Sequence, residues 1–326
     1  MNVALIGYGY WGPNLLSSFE GTKYPIRYVV DKSKENLERA RAFKNDLVLL
    51  ESIDEALDNK EIDAVVIALP TGLHYEIAKK ALLCGKHVFI EKPMTDKLGQ
   101  CYELASLARE KRLVFMVDHN FVYKKSVQKM RELAKGGELG RLQYFKSSRL
   151  NLGIFRPQDD VIWDLAPHDI SIVKYIMGKN PNAVSATAVS HMIQGKYDMA
   201  QLTLYYDNSF MAQIDISWVF PQKIRLSYLG GDKGVLLFND NEPENKLTLF
   251  PVGYDVQDKM VNCTQGEPYF LEKDTENALM MAGMDFISSI ENRKQPISNA
   301  EFGCDVVKII EALERSASLG GAKIYL

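Results

Sequence analysis

Short apolar runs alternate with amphipathic stretches over the first third of the chain. The runs NVALI, IRYVV, DAVVIAL, HVFI and LVFMV have the length of strands and are rich in β-branched and aromatic residues. Helical patterns such as TGLHYEIAKKALLCG lie between them. This alternation predicts an α/β domain in which helices cover both faces of a parallel sheet.

From about residue 142 onward the apolar positions recur with period two. In the stretch QLTLYYDNSFMAQIDISW, one face of an extended strand collects the apolar residues Phe210, Ala212, Ile214, Ile216 and Trp218. Asp207 and Asn208 supply turn residues before that strand, so we predict a hairpin. The stretch IRLSYLGGDKGVLLF repeats the pattern. A C-terminal α+β domain follows, with a mostly antiparallel open sheet and helices at TENALMMAGMDFISSIEN and EFGCDVVKIIEALERSASLG.

The change of pattern places the domain boundary near residue 120. We therefore predict an N-terminal α/β domain over residues 1–120 and a C-terminal α+β domain over residues 121–326. No linker rich in Pro, Gly or Ser marks the boundary, so we expect two domains packed around a cleft. The aromatic residues Tyr205, Tyr206 and Trp218 of the second sheet favour an oligomer surface, and we expect a homo-oligomer, either a dimer or a tetramer.

Composition narrows the possible ligands. The 39 Lys and Arg residues against 42 Asp and Glu residues give a net charge of -3, so no overall basic field favours nucleic acid or an anionic membrane. An anionic ligand must therefore be bound by local cations. We find no signal peptide and no apolar run near the 18 or so residues of a membrane span.

The cysteines point to a cytoplasmic, metal-free protein. Cys84, Cys101, Cys263 and Cys304 lie far apart and form no CxxC pair. This spacing argues against a zinc site and against a disulfide framework. We expect reduced thiols.

The glycines of VALIGYGYWGPNL follow the first strand run and precede a helical pattern, which is the context of a dinucleotide-binding fingerprint. Gly7 permits a tight turn, Gly9 allows a pyrophosphate to approach the backbone, and Gly12 allows close packing of helix and strand. Tyr10 and Trp11 lie between them and belong to the predicted cofactor site. The alternative is a tight turn with no ligand.

Asp31 ends the run RYVVD about 20 residues further on. A carboxylate there can accept hydrogen bonds from the adenosine ribose and repel a 2′-phosphate, which predicts NAD as the cofactor. Lys32 and Ser33 could receive such a phosphate, so NADP stays possible. The alternative is a strand-end cap.

The segment HVFIEKPMTD places Glu91, Lys92 and Pro93 just beyond the carboxyl end of a parallel strand, where ligands of open α/β sheets bind. A lysine there can donate to a substrate oxygen and stabilise the alkoxide that develops during hydride transfer. Pro93 fixes the turn. The alternative is a solvated lysine in a loop.

The segment VIWDLAPHDISIVKYIMG has apolar residues at helical spacing. Pro167 is tolerated only in the first turn of a helix, so we predict Asp164 as the N-cap. Asp164 and His168 then lie one turn apart. A histidine with a pKa of about 6.5 can accept a hydroxyl proton while the neighbouring carbon loses hydride. The alternative is a structural helix residue.

These motifs, in this order and over essentially the whole chain, resemble the Gfo/Idh/MocA family of nicotinamide-dependent oxidoreductases. The resemblance implies a Rossmann dinucleotide-binding domain followed by a domain for substrate binding and oligomerisation. It implies that Lys92 and His168, with Asp164 as the acid, are the catalytic residues, and that they meet at the nicotinamide. His168 would also contact the substrate.

The resemblance extends to the cofactor site. ALPTGLHYEIAKKAL resembles the family segment after the fourth strand, which implies that Pro70, Thr71 and His74 lie beside the cofactor. Glu91 is assigned to the cofactor site together with the lysine of its motif. The segment VDHNFVYKKSV resembles the domain junction, although Asp118 stands where a small residue is common.

The segment before the catalytic helix bears on the substrate. Arg149 and Asn151 are two apart on a strand and share a face, and Arg156 follows in the loop. Because arginines fork around phosphate oxygens, we predict that these residues bind a nucleotide diphosphate attached to a sugar. The alternative is that the arginines pair with Asp159 or Asp160 on the surface.

Three functions remain open. RLNLG ahead of WDLAPHD resembles the family branch that oxidises C3 of UDP-N-acetylglucosamine or its uronic acid, which favours an NAD-dependent nucleotide-sugar dehydrogenase. The second is an NADP(H)-dependent 3-ketosugar reductase or a polyol dehydrogenase of the inositol type. The third is a nicotinamide-binding regulatory protein without turnover, and the presence of both Lys92 and His168 counts against it.

Overall fold

The computed structural model describes residues 1–153, 155, 160–207, 209–257, 260–271 and 273–326, with the side chains of residues 256 and 257 left aside. These residues group into two compact units. The first comprises Met1–Tyr123 and Asn277–Val307, and the second comprises Lys124–Glu276 and Lys308–Leu326.

The first unit contains a six-stranded sheet with parallel pairing throughout and the strand order β3-β2-β1-β4-β5-β6. Its strands are β1 (Val3–Ile6), β2 (Ile26–Val30), β3 (Val48–Leu50), β4 (Ala64–Ile67), β5 (His87–Glu91) and β6 (Phe115–Asp118). Its connecting helices are α1 (Gly12–Phe19), α2 (Lys34–Phe43), α3 (Ile53–Asp58), α4 (His74–Leu83) and α5 (Leu98–Lys111). The predicted α/β fold is confirmed.

Burial explains which strands the sequence pattern revealed. Every residue of β1 and β4 is buried, as expected for central strands covered on both faces. The strand β3 was not predicted, because its three residues are exposed or half-buried and form no apolar run of strand length.

Two C-terminal segments contribute to the first unit. Helix α8 (Ala278–Asn292) places Phe286 edge-on against Phe89 of β5, with ring centroids 5.6 Å apart. Ser298 Oγ donates to the Val117 carbonyl of β6 at 2.7 Å. The division predicted from the sequence assigns these residues to the C-terminal domain, whereas the structure groups Asn277–Val307 with the first unit through this packing.

The second unit contains a ten-stranded sheet in which all neighbours pair in antiparallel fashion except the parallel pair β7–β10. Its strands are β7 (Leu142–Leu152), β8 (Ala183–Val189), β9 (Met199–Tyr205), β10 (Met211–Ser217), β11 (Val219–Gly231), β12 (Gly234–Asn239), β13 (Leu247–Gln257), β14 (Met260–Gln265), β15 (Tyr269–Phe270) and β16 (Ile324–Tyr325). The predicted antiparallel sheet is confirmed. Its helices are α6 (Lys125–Gly136), α7 (Val161–Met177) and the end of α9 (Ala300–Ser318).

The predicted hairpin is the antiparallel pair β9–β10, and all five apolar residues assigned to its inner face are buried. Asn208, one of the two predicted turn residues, lies outside the described residues. Tyr206 and Trp218 are also buried, so the expectation that they form an exposed oligomer surface is wrong. They belong to the apolar interior of the second unit.

The start of α7 differs from the prediction. Asp160 is the N-cap, and its Oδ1 accepts from the amides of Ile162 at 2.9 Å and Trp163 at 3.2 Å. The predicted cap at Asp164 is therefore wrong by one turn. The buried residues Val161 and Ile162 complete that additional turn, and Pro167 lies inside the helix, where it removes one donor.

Two further features of the described residues concern their helices and their thiols. None of their helices is both long enough and apolar enough to cross a membrane. All four cysteines are free thiols: Cys84 and Cys263 are exposed, and Cys101 and Cys304 are buried.

Candidate active site

The glycine loop after β1 combines internal packing with an open backbone. Gly7 has φ +96°, and a Cβ there would lie 2.5 Å from the Ala68 carbonyl oxygen. A Cβ on Gly12 would lie 2.7 Å from the Gly7 oxygen, so the fold itself requires both glycines. A Cβ on Gly9 would meet no atom within 4 Å. Gly9 therefore leaves the space that a dinucleotide pyrophosphate needs to approach the backbone.

The start of α1 also fits a phosphate group. Trp11 is its N-cap and supplies no side-chain cap, and Pro13 lies in the first turn. Pro13 has no amide hydrogen, and the Asn14 amide donates to the Trp11 carbonyl at 3.0 Å, so among the described residues the first turn leaves the Gly12 amide for an anion. The indole Nε1 of Trp11 is buried and has no hydrogen-bond acceptor among the described residues, whereas Tyr10 is exposed. Together with Gly9, these groups fit the phosphates of a nicotinamide dinucleotide.

Asp31 is fixed by the loop that it faces. Its Oδ2 accepts from the Tyr8 amide at 2.7 Å and from Asn36 Nδ2 at 3.1 Å, and its Oδ1 accepts from the Ser33 amide at 2.8 Å. A carboxylate offers about four acceptor sites, so one remains for a ribose hydroxyl. The structure thus ties the end of β2 to the glycine loop.

His74 connects two segments of the predicted cofactor site. Its buried ring has Nδ1 at 2.9 Å from the Pro93 carbonyl oxygen and Nε2 at 2.8 Å from the Leu69 carbonyl oxygen. The ring thereby links the turn after β5 to the end of β4, where Pro70 and Thr71 are located. A direct contact between either ring nitrogen and a cofactor would have to replace one of these hydrogen bonds.

Glu91 and Asp118 form a carboxyl pair that the sequence analysis missed. They end the neighbouring strands β5 and β6 and are direct register partners. Burial and the neighbouring carboxyl raise the pKa of Glu91 well above its usual range, and burial raises that of Asp118 to about 6. The charge of Lys92 opposes both shifts, and the Lys92–Pro93 peptide is cis.

The signal for this pair was present in the sequence. Glu91 and Asp118 each follow an apolar run that ends at the carboxyl edge of the sheet. The sequence does not give the register between these two strands, and only that register places the two carboxyl groups side by side.

Helix α7 carries the two residues assigned to proton transfer. Asp164 and His168 are separated by one turn, and Trp218 Nε1 donates to Asp164 Oδ2 at 3.1 Å. The hydroxyl of Ser171 donates to the His168 carbonyl at 2.7 Å. Both proposed residues are half-buried, and the contact with buried Trp218 holds the Asp164 carboxylate in place. Their catalytic roles stay predictions.

The predicted phosphate-binding residues have different positions. Arg149 is buried and pairs with Asp169 of α7, with Nε 2.6 Å from Oδ2 and Nη2 3.3 Å from Oδ1. The guanidinium therefore braces β7 against α7. Asn151 is half-buried near the end of β7, and Arg156 lies outside the described residues. Asp169 directly follows His168 in the sequence, but no sequence pattern indicated that it pairs with Arg149, 20 residues earlier.

The expectation of a metal-free site stays a prediction. Within the described ranges, no group of three or more His, Cys, Asp or Glu side chains is arranged to hold a metal ion.

Comparison with known proteins places the chain in a family. Residues 1–119 match the oxidoreductase family model with an NAD-binding Rossmann fold, and residues 127–236 match the Gfo/Idh/MocA C-terminal domain. The chain is 31% identical over 232 residues to UDP-N-acetylglucosamine 3-dehydrogenase of Acidithiobacillus ferrooxidans, which covers 69% of this chain and 69% of the relative. The chain belongs to the Gfo/Idh/MocA oxidoreductase family. Its first unit is an NAD(P)-binding Rossmann domain.

Solved structures of other oxidoreductases share the fold. The structure of the Acidithiobacillus ferrooxidans UDP-N-acetylglucosamine 3-dehydrogenase has a TM-score of 0.84 at 23% identity and covers 98% of each chain. An Agrobacterium radiobacter oxidoreductase in complex with NAD+, L-tartaric acid and magnesium has a TM-score of 0.83 at 16% identity, covering 100% of this chain and 98% of that one.

Proposed function

We propose that this Gfo/Idh/MocA oxidoreductase is an NAD-dependent dehydrogenase that oxidises a secondary hydroxyl of a sugar, at C3 of a nucleotide sugar such as UDP-N-acetylglucosamine. The observation that carries the proposal is the 31% identity over 232 residues to an enzyme with that activity. The described residues add the acid, base and cation that the chemistry needs: Asp164, His168 and Lys92.

The proton and the developing charge are assigned to this chain's own residues. His168 accepts the proton of the sugar hydroxyl as the oxygen becomes a carbonyl. The Lys92 ammonium donates a hydrogen bond to that oxygen and stabilises its negative charge. Asp164, held by Trp218 Nε1, lies one helical turn before His168 and is assigned as the acid of the pair. When bound, NAD supplies the hydride acceptor.

The preference for NAD is assigned to Asp31. Its carboxylate has one acceptor site left after the hydrogen bonds from Tyr8, Ser33 and Asn36, and a ribose hydroxyl of adenosine can fill that site. A 2′-phosphate would instead bring two negative charges against the carboxylate.

Turnover assays with a panel of sugars test the proposal. The protein is incubated with NAD and UDP-sugars, dTDP-sugars, free N-acetylglucosamine or inositol, and the absorbance of reduced nicotinamide is followed. We expect turnover with a UDP-sugar and little with the free sugar, because remote binding energy positions the reacting carbon. Equal turnover of inositol or the free sugar would favour a polyol dehydrogenase, and parallel assays with NADP test the cofactor.

The same proposal includes a cytoplasmic homo-oligomer with domains divided near residue 120. Light scattering during size-exclusion chromatography measures the oligomeric state directly. A monomer at assay concentration would contradict that part of the proposal without affecting the catalytic one.

A further inference from the structure

Four cations of the second unit surround two buried carboxylates. Arg149 pairs with Asp169, as described above. The other carboxylate, Asp240, follows β12 and is shared by three cations: Lys124 Nζ lies 2.8 Å and Lys246 Nζ 3.8 Å from Oδ1, and Arg225 Nη1 lies 3.4 Å from Oδ2. We call these six residues the cationic cluster.

The two ion-pair groups form one cluster because of strand register. Arg149 of β7 and Arg225 of β11 are direct antiparallel partners, so their side chains lie on the same face of the sheet. That face is the one packed against α7, since Asp169 of α7 holds the Arg149 guanidinium. Asp169 directly follows His168 in the sequence, so the cluster is attached to the helix that carries the proposed base.

Four of these six residues carry a positive charge and two carry a negative charge. Burial and the like charge of Arg149 lower the pKa of Arg225. Although burial opposes it, the cations Lys124, Arg225 and Lys246 hold the pKa of Asp240 below its usual range. The shift of Asp240 reflects the three cations that surround its carboxylate. Partly buried charge of one sign is costly unless an opposite charge is present.

Solvent reaches the cluster mainly at one residue. The side chains of Arg149, Asp169 and Asp240 are at most 6% exposed. Lys124 and Lys246 are 17% and 15% exposed, whereas Arg225 is 37% exposed. An anion from solution would therefore meet the Arg225 guanidinium first, with the charges of the other cations behind it.

We propose that Arg225, backed by the cationic cluster, binds the diphosphate of a nucleotide-linked substrate. This inference rests on the proposed function, for which it names the phosphate-binding residue. The guanidinium fork matches phosphate oxygens, and the neighbouring cations of the cluster attract the two negative charges of a diphosphate. A chain of net charge -3 can neutralise such a ligand only at a local concentration of cations.

Binding of UDP to the full-length protein, measured by calorimetry, tests the proposal. Arg225→Gln should raise the Kd for UDP by about 10- to 100-fold, because a charge-assisted hydrogen bond is lost. Arg225→Lys, which keeps the charge, should lose less. Arg141→Gln is the matched control, because this substitution also removes one positive charge. Arg141 lies just before β7, and its side chain is 76% exposed. It should leave the Kd unchanged.

Folding is checked by NADH binding and by the thermal midpoint of each variant. If Arg225→Gln does not fold, the wild-type protein supplies the test: affinity should rise from uridine to UMP to UDP and fall with added salt. Equal affinity for uridine and UDP, or unchanged UDP binding in folded Arg225→Gln, would overturn the proposal.

The two proposals fail in different ways. If UDP binding depends on Arg225 but no nucleotide sugar is oxidised, the phosphate site stands and the proposed function is wrong. If a UDP-sugar is oxidised with the same KM by the wild type and Arg225→Gln, the function stands and the phosphate site is wrong.

Discussion

The two units hold charge in opposite ways. At the carboxyl edge of the first sheet, the glycine loop offers neutral amides, and Asp31, Glu91 and Asp118 add carboxyl groups. In the second unit, a carboxylate such as Asp240 is outnumbered by the cations around it. We expect the first arrangement to recognise its ligand by directed hydrogen bonds and to disfavour an additional phosphate. We expect the second to attract an anion through its concentrated positive charge, so the two should respond differently to substitution, pH and salt.

The largest effect should come from the residues assigned to chemistry. His168→Ala in the second unit and Lys92→Ala in the first should each lower kcat by about 10²- to 10⁴-fold. The Kd of NADH, measured by fluorescence, should change little, because neither residue is assigned to the adenosine half. Near-normal turnover in either variant would remove that residue from the mechanism.

Asp31→Asn should change the binding of NAD, which is assigned to the first unit, without changing the binding of UDP, which is assigned to the second. Loss of the charged acceptor should weaken NAD binding by about tenfold or more and reduce the preference over NADP, since the repulsion of a 2′-phosphate disappears. The Kd of UDP should stay unchanged in the same variant. Equal affinities for NAD and NADP in the wild type would contradict the role of Asp31.

Asp118→Asn should change the pH dependence of stability. The folded-state pKa of Asp118, about 6, lies above its unfolded value near 3.8, so the folded state binds the proton more tightly. Ionising Asp118 in the folded state costs free energy. This cost is absent below the unfolded-state pKa and fully present above pH 6, so the free energy of unfolding falls as pH rises between these values.

Asp118→Asn removes the ionisable group. The free energy of unfolding of the variant, relative to the wild type, should therefore be about 1 to 3 kcal/mol more favourable to the folded state at pH 7.5 than at pH 4.5. Asp54→Asn is the control, because Asp54 is 72% exposed. Denaturant unfolding at both pH values measures the difference. An Asp118→Asn profile that matches the Asp54→Asn profile would argue against the raised pKa of Asp118.

The smallest effect concerns the helix caps of the two units. Asp160→Ala should destabilise the protein by about 1 kcal/mol, because its carboxylate accepts from two amides of α7. Ser33→Ala removes a single 3.3 Å hydrogen bond at the start of α2 and should cost about 0.5 kcal/mol. Thermal unfolding of both variants measures the two losses of stability. A larger loss for Ser33→Ala than for Asp160→Ala would contradict the prediction.

Local patterns were sufficient for most of the fold. Buried strands such as β1 and β4 are continuous apolar runs, and the glycine loop follows one of them. The start of α7 was placed one turn late because Asp160 and Asp164 are both acceptable caps by residue type. The choice depends on whether Val161 and Ile162 are buried, and that depends on tertiary packing.

The features that were missed depend on distant partners. The sequence analysis assigned Arg149 to a diphosphate or to Asp159 or Asp160, whereas the packing of α7 on β7 pairs it with Asp169. The pairing of Glu91 with Asp118 depends on the register of two strands. Periodicity along a chain reports which face of an element is buried, but it does not name the partner that covers it.

The discontinuity of the first unit has a consequence for biosynthesis. Residues 1–123 leave the ribosome before every strand of the second sheet, whereas Asn277–Val307 is made after all of those strands except β16. Until then, Phe89 lacks its contact with Phe286, and part of the apolar layer on the parallel sheet stays uncovered in the nascent chain. Because exposed apolar surface promotes aggregation during synthesis, this interval is where a chaperone would have most to protect.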